Sequence, residues 1–519
     1  MATCRGTAWC QETGRCRPGA GHRRKIRFSA LLAALLWLAL VSAPESTARG
    51  DNEDILLELD AKVTSLRCAD LSGDGLQDMV VLTQSDPPKP WKRAIVVYVQ
   101  KKNGSFTPVH IPAEWTRESF LVDIGRFDRE EGEEILIVSK AAVGVIGLRA
   151  GKPQRIVDDI PLSTLFQGGV HNDFFFLDSS LDLDGDGLDE AIVATDSEYV
   201  VLFDGLTRRV PIAEPVRKRI ERYENCLFAL SVEAAKTRIV PFDGESPFIA
   251  LERGGRLIGL RYDRKTGSFL RMASTEKKYG SYADEVKVGT LEYTGTMLGD
   301  FNRSGRPNLL LSERSGQIGI LTKLKTKHTF FDILEYPQKG TLQFKPRQII
   351  ANAGICAKPT FSDLDGDGHD DLILRFVEAS ILAKFLEAML DRVIITCQAF
   401  LFHPEKGTYS FEPDWSREVP VPSDCFETVG IEGLAMMDSD FTGDRRPDLV
   451  IYESDRLNFF RGERDEGFFS TTEVAFVSRP FYQVAGPFPG PLTVVDLDGD
   501  GRKEIITAGD TFVRVIHVQ

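Results

Sequence analysis

Residues 182–190 have the sequence Asp-Leu-Asp-Gly-Asp-Gly-Leu-Asp-Glu. The apolar residues Ala-Ile-Val-Ala follow directly. Two other stretches repeat this arrangement closely: residues 363–371 (DLDGDGHDD) precede Leu-Ile-Leu, and residues 496–504 (DLDGDGRKE) precede Ile-Ile-Thr. An acidic loop followed at once by a short apolar run therefore recurs in one frame. This recurrence predicts a chain built from internal repeats.

Five weaker copies keep the same nine-residue frame. They occupy residues 70–78, 126–134, 239–247, 300–308 and 440–448. The ninth positions of the eight copies are 78, 134, 190, 247, 308, 371, 448 and 504. The intervals between them are 56, 56, 57, 61, 63, 77 and 56 residues, and omitting the copy at 239–247 would open a gap twice the usual length. We therefore count eight units.

Each unit is predicted to form four strands, because β-branched and apolar runs alternate with Gly, Asp, Pro and Lys. In the sixth unit we place the second strand at 372–376, the third at 394–402 and the fourth at 407–413. Four strands at near-constant spacing are typical of a β-propeller. The prediction is an all-β fold, a propeller of eight or alternatively seven four-stranded blades, forming one domain over residues 52–519. Side-by-side sandwich domains would repeat at about 100 residues instead.

The two ends of the chain are predicted to pair with each other. The last unit stops after three strands, whereas the first unit has an extra strand at 55–59. That strand could complete the last unit and cover its exposed sheet edge.

The acidic loops have the composition of calcium sites. Alternating carboxylates converge on one point, glycine at position six permits a sharp turn, and a carboxylate at position nine completes the oxygen cage that Ca²⁺ prefers. An EF-hand is disfavoured, because position nine here enters a strand. We expect about three to five Ca²⁺ sites on this ligand chemistry. The predicted ligands are Asp70, Ser72, Asp74, Asp78, Asp182, Asp184, Asp186, Glu190, Asp363, Asp365, Asp367, Asp371, Asp440, Thr442, Asp444, Asp448, Asp496, Asp498, Asp500 and Glu504.

The remaining loops are expected to differ. The loops at 126–134 and 239–247 lack the first ligand and should be metal-free. The loop at 300–308 has one formal charge among its ligands and should be weak or empty, and the loop at 440–448 has Arg445 in place of the glycine.

With these loops in view, the chain resembles the FG-GAP or VCBS-type repeat propellers, which include the head of the integrin α-subunits. Residues 299–302 (GDFN) and 125–128 (GRFD) echo the opening of that repeat. The resemblance covers about residues 52–519. It implies calcium on one rim, an unknown protein or glycan partner on the opposite face, and a role in adhesion, recognition or scaffolding.

The N-terminus reads as an export signal. Basic residues at 23–27 precede an apolar run at 30–41, and small residues at 41–43 and 46–48 offer cleavage sites. The run is shorter than the roughly 20 residues that span a bilayer. We expect a signal peptide at 1–43 with cleavage near 43 or 48, or alternatively an uncleaved anchor. The location would be periplasmic, cell-surface or extracellular.

Charge disfavours nucleic acid as a partner. The net charge is −14 although the first 43 residues are basic, so the rest of the chain is strongly acidic and repels phosphate backbones.

The sixth unit carries an insertion near 377–393. Ile381, Phe385 and Met389 recur at helical spacing, which predicts an amphipathic helix. It would pack as a lid or dock a partner or a lipid headgroup layer, with peripheral membrane contact as one outcome. Cys356, Cys397 and Cys425 map near it, and a disulfide among them is expected in an oxidising compartment.

Catalytic motifs are missing from the sequence: it contains no HExxH, GxSxG or GxxxxGK. A binding module without enzymatic activity is therefore the favoured function. The alternative is a propeller enzyme, such as a polysaccharide lyase or dehydrogenase, with its site in the central channel.

Overall fold

The computed structural model describes residues 54–85, 92–116, 118–164, 174–176, 179–195, 197–215, 217–223, 226–233, 236–242, 245–253, 256–274, 291–303, 308–315, 328–335, 341–342, 345–353, 355–377, 392–422, 433–453, 455–463, 474–486 and 488–518. The predicted signal segment, Cys425 and residues 378–391 of the predicted helix lie outside these residues. Within these residues the elements are strands apart from the short helix Ala113–Thr116 and the helical residues 433–434, so the all-β prediction is confirmed. Within the same residues, no helix combines the length and apolar character needed to cross a membrane.

Most described strands belong to eight antiparallel sheets, named here in chain order. Sheet one comprises Lys62–Ala69, Asp78–Gln84, Arg93–Gln100 and Phe106–His110. Sheet two comprises Ser119–Gly125, Glu134–Ser139, Ala142–Arg149 and Lys152–Pro161, with Phe175–Phe176 added in parallel. Sheet three comprises Ser180–Leu181, Glu190–Ala194, Glu198–Phe203 and Arg208–Pro215. Sheet four comprises Lys236–Phe242, Glu245–Arg253, Arg256–Asp263 and Ser268–Arg271.

Sheets five to eight are antiparallel as well. Sheet five comprises Leu291–Gly299, Asn308–Ser315, His328–Glu335 and Lys345–Ala353. Sheet six comprises Ile355–Cys356, Thr360–Ser362, Asp371–Val377, Arg392–Phe400 and Trp415–Pro422. Sheet seven comprises Ala435–Ser439, Asp448–Glu453, Arg456–Phe460 and Tyr482–Ala485. Sheet eight comprises Leu492–Val495, Glu504–Ala508, Phe512–Ile516 and Ile55–Glu58.

Four two-stranded sheets complete the described strands. They pair Arg217–Tyr223 with Cys226–Glu233, Ala273–Ser274 with Thr341–Leu342, Phe402–His403 with Thr408–Tyr409, and Gly462–Glu463 with Ala475–Phe476.

The fourth strand of the sixth unit was wrongly placed at 407–413. A turn with the hydrogen bond Gly407 N–His403 O (2.8 Å) closes a small local hairpin there. The Asp414 carboxylate then accepts the Leu401 N–H at 2.8 Å. The main sheet resumes at Trp415–Pro422, so an extra hairpin separates the third and fourth strands.

The N-terminal strand completes the last sheet, as predicted. Ile55–Glu58 runs antiparallel to Phe512–Ile516, with Ile55 opposite Val515 and Glu58 opposite Phe512. The Arg514 guanidinium also bonds the Asp54 carboxylate. The two ends of the chain are thereby joined in one sheet.

The core lies between neighbouring sheets, as the second strand of sheet one illustrates. Val80 and Leu82 pack against sheet two, whereas Met79 and Val81 pack against sheet eight. Successive side chains of a strand point to opposite faces of the sheet. A strand that is covered on both faces therefore has a continuous run of apolar residues in its sequence. Other apolar clusters of this kind join sheets two with three, three with four, five with six, and six with seven and eight.

A disulfide between Cys356 and Cys397 is not formed. Cys397 is a free, buried thiol in the cluster that faces sheet seven. Cys356 packs into the cluster that faces sheet five, on the opposite side of sheet six. Of the pairings left open among the three cysteines, this one is absent, and Cys425 lies outside the described residues.

Asp123 ties three sheets together. This carboxylate is 2% exposed on the first strand of sheet two. It accepts a hydrogen bond from the Arg67 guanidinium of sheet one at 2.8 Å. It also accepts one at 2.6 Å from the N–H of Ser179, which lies just before sheet three. Burial raises the pKa of Asp123, and these hydrogen bonds oppose that effect.

We expect Asp123→Ala to destabilise the protein by about 3 kcal/mol, since the Arg67 guanidinium loses an ionised acceptor and the buried Ser179 N–H loses its carboxylate partner. Urea unfolding would measure the loss. Asp159→Asn is the control, because Asp159 is exposed and its pair with Arg155 should contribute under about 1 kcal/mol. Equal losses for both variants would contradict the bridging role.

Candidate metal centres

The aspartate at position one organises each acidic loop. The Asp182 carboxylate accepts the N–H groups of Gly185, Asp186 and Gly187, the last at 3.0 Å. Asp70, Asp363, Asp440 and Asp496 likewise accept the main-chain N–H groups three and five residues further on. The first residue therefore shapes the loop as well as offering an oxygen ligand.

Position six makes the predicted sharp turn. Gly187 has a φ of 89°, in the left-handed region that glycine enters without strain. Arg445 adopts the same region with a φ of 67°, so the loop at 440–448 keeps the turn without the glycine.

Positions two and nine anchor the loop to the sheet. Glu190 is 1% exposed, and its Oε2 accepts the N–H of the buried Leu183 at 2.6 Å. The pairs Phe127–Glu134, Leu364–Asp371, Phe441–Asp448 and Leu497–Glu504 repeat this bond. The role of position two was not predicted from the sequence. The Leu or Phe that recurs there could have indicated a buried anchor.

Among the described residues, three loops gather acidic ligand atoms within 4.8 Å of one another. The groups are Asp182, Asp184 and Glu190; Asp363, Asp365 and Asp371; and Asp496, Asp498 and Asp500. Asp186, Asp367 and Glu504 lie in the same loops but outside these groups. The loops at 70–78 and 440–448, with Ser72 and Thr442 at position three, do not form a group of three carboxylates.

Nearby arginines offset the charge of the grouped carboxylates only in part, because one half-exposed guanidinium approaches each group at 3.6–4.0 Å. Burial, followed by its acidic neighbours, raises the pKa of Glu190 to about 8, and burial raises the pKa of Asp371 to about 8. Asp184 Oδ1 is buried without a hydrogen bond, and the Arg264 guanidinium is 3.6 Å away. A buried acceptor without a partner is costly. A hard divalent cation at this point would satisfy Asp184 Oδ1 and offset the crowded negative charge, so the residues fit Ca²⁺.

The loops also contact one another, which joins successive sheets. Position eight of one loop bonds the start of the preceding loop: Glu133 N–Asp70 O is 2.8 Å, and Asp189 N–Arg126 O is 2.6 Å. The other links are Gln77 N–Leu497 O, Lys503 N–Asp440 O, His369 Nδ1–Asn302 O and Arg303–Asp370. A cation that orders one loop therefore also steadies the neighbouring unit.

We expect Asp182→Ala to cost about 2 kcal/mol even without metal, because three N–H groups lose an ionised acceptor. Thermal melting in a chelating buffer would measure it. Asp204→Ala, an exposed acid in a nearby turn that pairs with Arg208, is the control and should be nearly neutral. A loss that appears only in calcium would contradict the capping role.

Comparison with known proteins supports the repeat. An FG-GAP-like repeat model matches residues 440–507. A solved structure, the biofilm matrix protein Bap1 of V. cholerae, aligns over 89% of each chain with 10% identity and a TM-score of 0.38. No curated protein matches significantly.

Proposed function

We propose that this chain is an exported, calcium-loaded β-propeller that binds a protein or glycan and serves in adhesion, recognition or scaffolding. The observation that carries the proposal is the set of three carboxylate groups, each at the same place in its repeat unit. The FG-GAP-like repeat at 440–507 supports the same assignment.

Three contacts favour a ring of eight blades. The N-terminal strand lies in the last sheet, apolar side chains join sheets eight and one, and Gln77 N bonds Leu497 O between the last and first loops. A propeller needs such contacts between its first and last units, because they remove the exposed sheet edges.

Calcium would act as a structural ion in this proposal. The three groups lie in loops that contact neighbouring units, so bound ions would hold adjacent sheets in register and steady the face that meets the partner. The opposite face, where the 377–393 insertion begins and ends, is proposed to carry the partner contacts.

Binding is favoured over catalysis because the buried acids found here serve the main chain. Glu134, Glu190, Asp371, Asp448 and Glu504 each accept the N–H of position two. Asp123 is likewise engaged by Arg67 and Ser179. A catalytic acid or base needs a free position toward a substrate, and these groups already have structural partners.

Affinity electrophoresis of residues 52–519 through gels containing neutral or uronate polysaccharides would test binding to a glycan. Capture of the same chain on immobilised extracellular matrix proteins would test binding to a protein. We expect retention in calcium that is lost in chelator, with no change in the polysaccharide. Release of reducing ends or unsaturated uronates would contradict a binding role. Absence of retention on every probe would contradict adhesion to these classes.

A further inference from the structure

The second loop, residues 126–134, already holds a positive charge. The Arg149 guanidinium, at the end of the third strand of sheet two, contacts Asp128, Glu130 and Glu134. Nε–Glu130 Oε2 is 2.6 Å and Nη2–Glu134 Oε1 is 2.9 Å. These three acids are positions three, five and nine of the loop, which are metal-ligand positions in the other units.

The sheet is shaped to admit this guanidinium. From the register of Ile135 with Ile146, Gly147 stands opposite Glu134. A Cβ on Gly147 would lie 3.0 Å from Arg149 Nη1 and 3.0 Å from Ile156. Gly147 therefore leaves the space in which the arginine reaches back to the loop.

The described residues of the other units show no arginine paired with three acids of one loop, although Arg461 in sheet seven stands opposite the ninth residue, Asp448, by its register. Val99, Phe203 and Leu401 hold the position opposite the ninth residue in sheets one, three and six, by their registers. Arg461 in sheet seven contacts one loop acid, Asp444, at 3.0 Å. Arg149 differs because it engages three acids at once and is largely buried.

We infer that Arg149 is a resident cation that replaces the metal ion in the second unit, so that this loop stays ordered without calcium. The expected metal-free state of the loop then has a second cause besides the missing first ligand. The contrast with the other loops rests on the proposed calcium sites, whereas the role of Arg149 itself does not. On calcium depletion, the second loop is retained while the loops at 182–190, 363–371 and 496–504 loosen.

Hydrogen–deuterium exchange of residues 52–519, in calcium and in chelator, tests the inference. In the parent chain, peptides over 182–190 should exchange faster in chelator, while peptides over 126–134 change much less, since Arg149 holds that loop and only its link to Asp189 weakens. In Arg149→Gln, exchange over 126–134 in chelator should accelerate about 10- to 100-fold, as expected for the loss of charged hydrogen bonds. Gly147→Val, which fills the space, should act in the same direction.

Arg155→Gln is the matched control, since Arg155 lies in the same sheet and pairs with the exposed Asp159. An equal acceleration of exchange over 126–134 and over 182–190 in the parent on chelation would overturn the inference. So would unchanged exchange in Arg149→Gln. If no loop responds to calcium, the proposed function fails, but the effect of Arg149→Gln in chelator still decides the role of Arg149. If both variants fail to fold, the comparison of the parent chain in calcium and in chelator still tests the inference.

Discussion

Chelation of calcium should lower the melting temperature of residues 52–519 by about 8 °C. A site contributes about 2.7 kcal/mol when free calcium is about 100 times the dissociation constant, so three sites contribute about 8 kcal/mol. A chain of this size has an unfolding entropy of about 1 kcal/mol/K near its midpoint. Scanning calorimetry in calcium and in chelator would measure the shift.

Two controls sharpen this prediction. Magnesium should restore little of the shift, because it requires a rigid octahedral site and keeps its waters. The triple variant Asp182→Ala, Asp363→Ala and Asp496→Ala should lose most of the shift and keep only what the loops at 70–78 and 440–448 contribute. An undiminished calcium response in the triple variant would place the ions elsewhere.

Removal of the N-terminal strand should be the most damaging single truncation. A chain that starts at Asp60 loses the pairing of Ile55–Glu58 with Phe512–Ile516 and leaves Arg514 without Asp54. It also loses the burial of Ile55 and Leu57 against sheet eight. We expect a loss of about 4 kcal/mol from these apolar and charged contacts.

Urea unfolding compares this chain with one that starts at Asn52 and keeps the strand. Amide exchange of Phe512–Ile516 should increase only in the shorter chain, since it alone has the newly exposed edge. Equal stability and exchange in the two chains would show that the strand does not hold the last sheet.

The sequence was informative where chemistry repeats at fixed spacing. The loop from Asp182 through Gly187 to Glu190 could be placed directly before a strand, because the sharp turn and the strand entry each favour a particular residue at a particular position. The pairing of Ile55–Glu58 with the last sheet followed from counting strands. Both depend on local patterns that a single chain displays.

Features that depend on the approach of distant segments could not be predicted. The bond between Glu133 and Asp70 requires the relative position of two units, which no local pattern encodes. Arg149 reaches its loop only because Gly147 is small and the hairpin bends back. The fourth strand of the sixth unit was misplaced because a local hairpin, Phe402–His403 with Thr408–Tyr409, has the same composition as a main strand.

Calorimetric titration of the chelator-stripped chain with calcium decides whether the acidic loops bind the ion. We expect about three to five bound ions, as the hard-oxygen ligand sets allow, with sites lost one by one in Asp182→Ala, Asp363→Ala and Asp496→Ala. A stripped, folded chain that takes up no calcium would contradict this expectation.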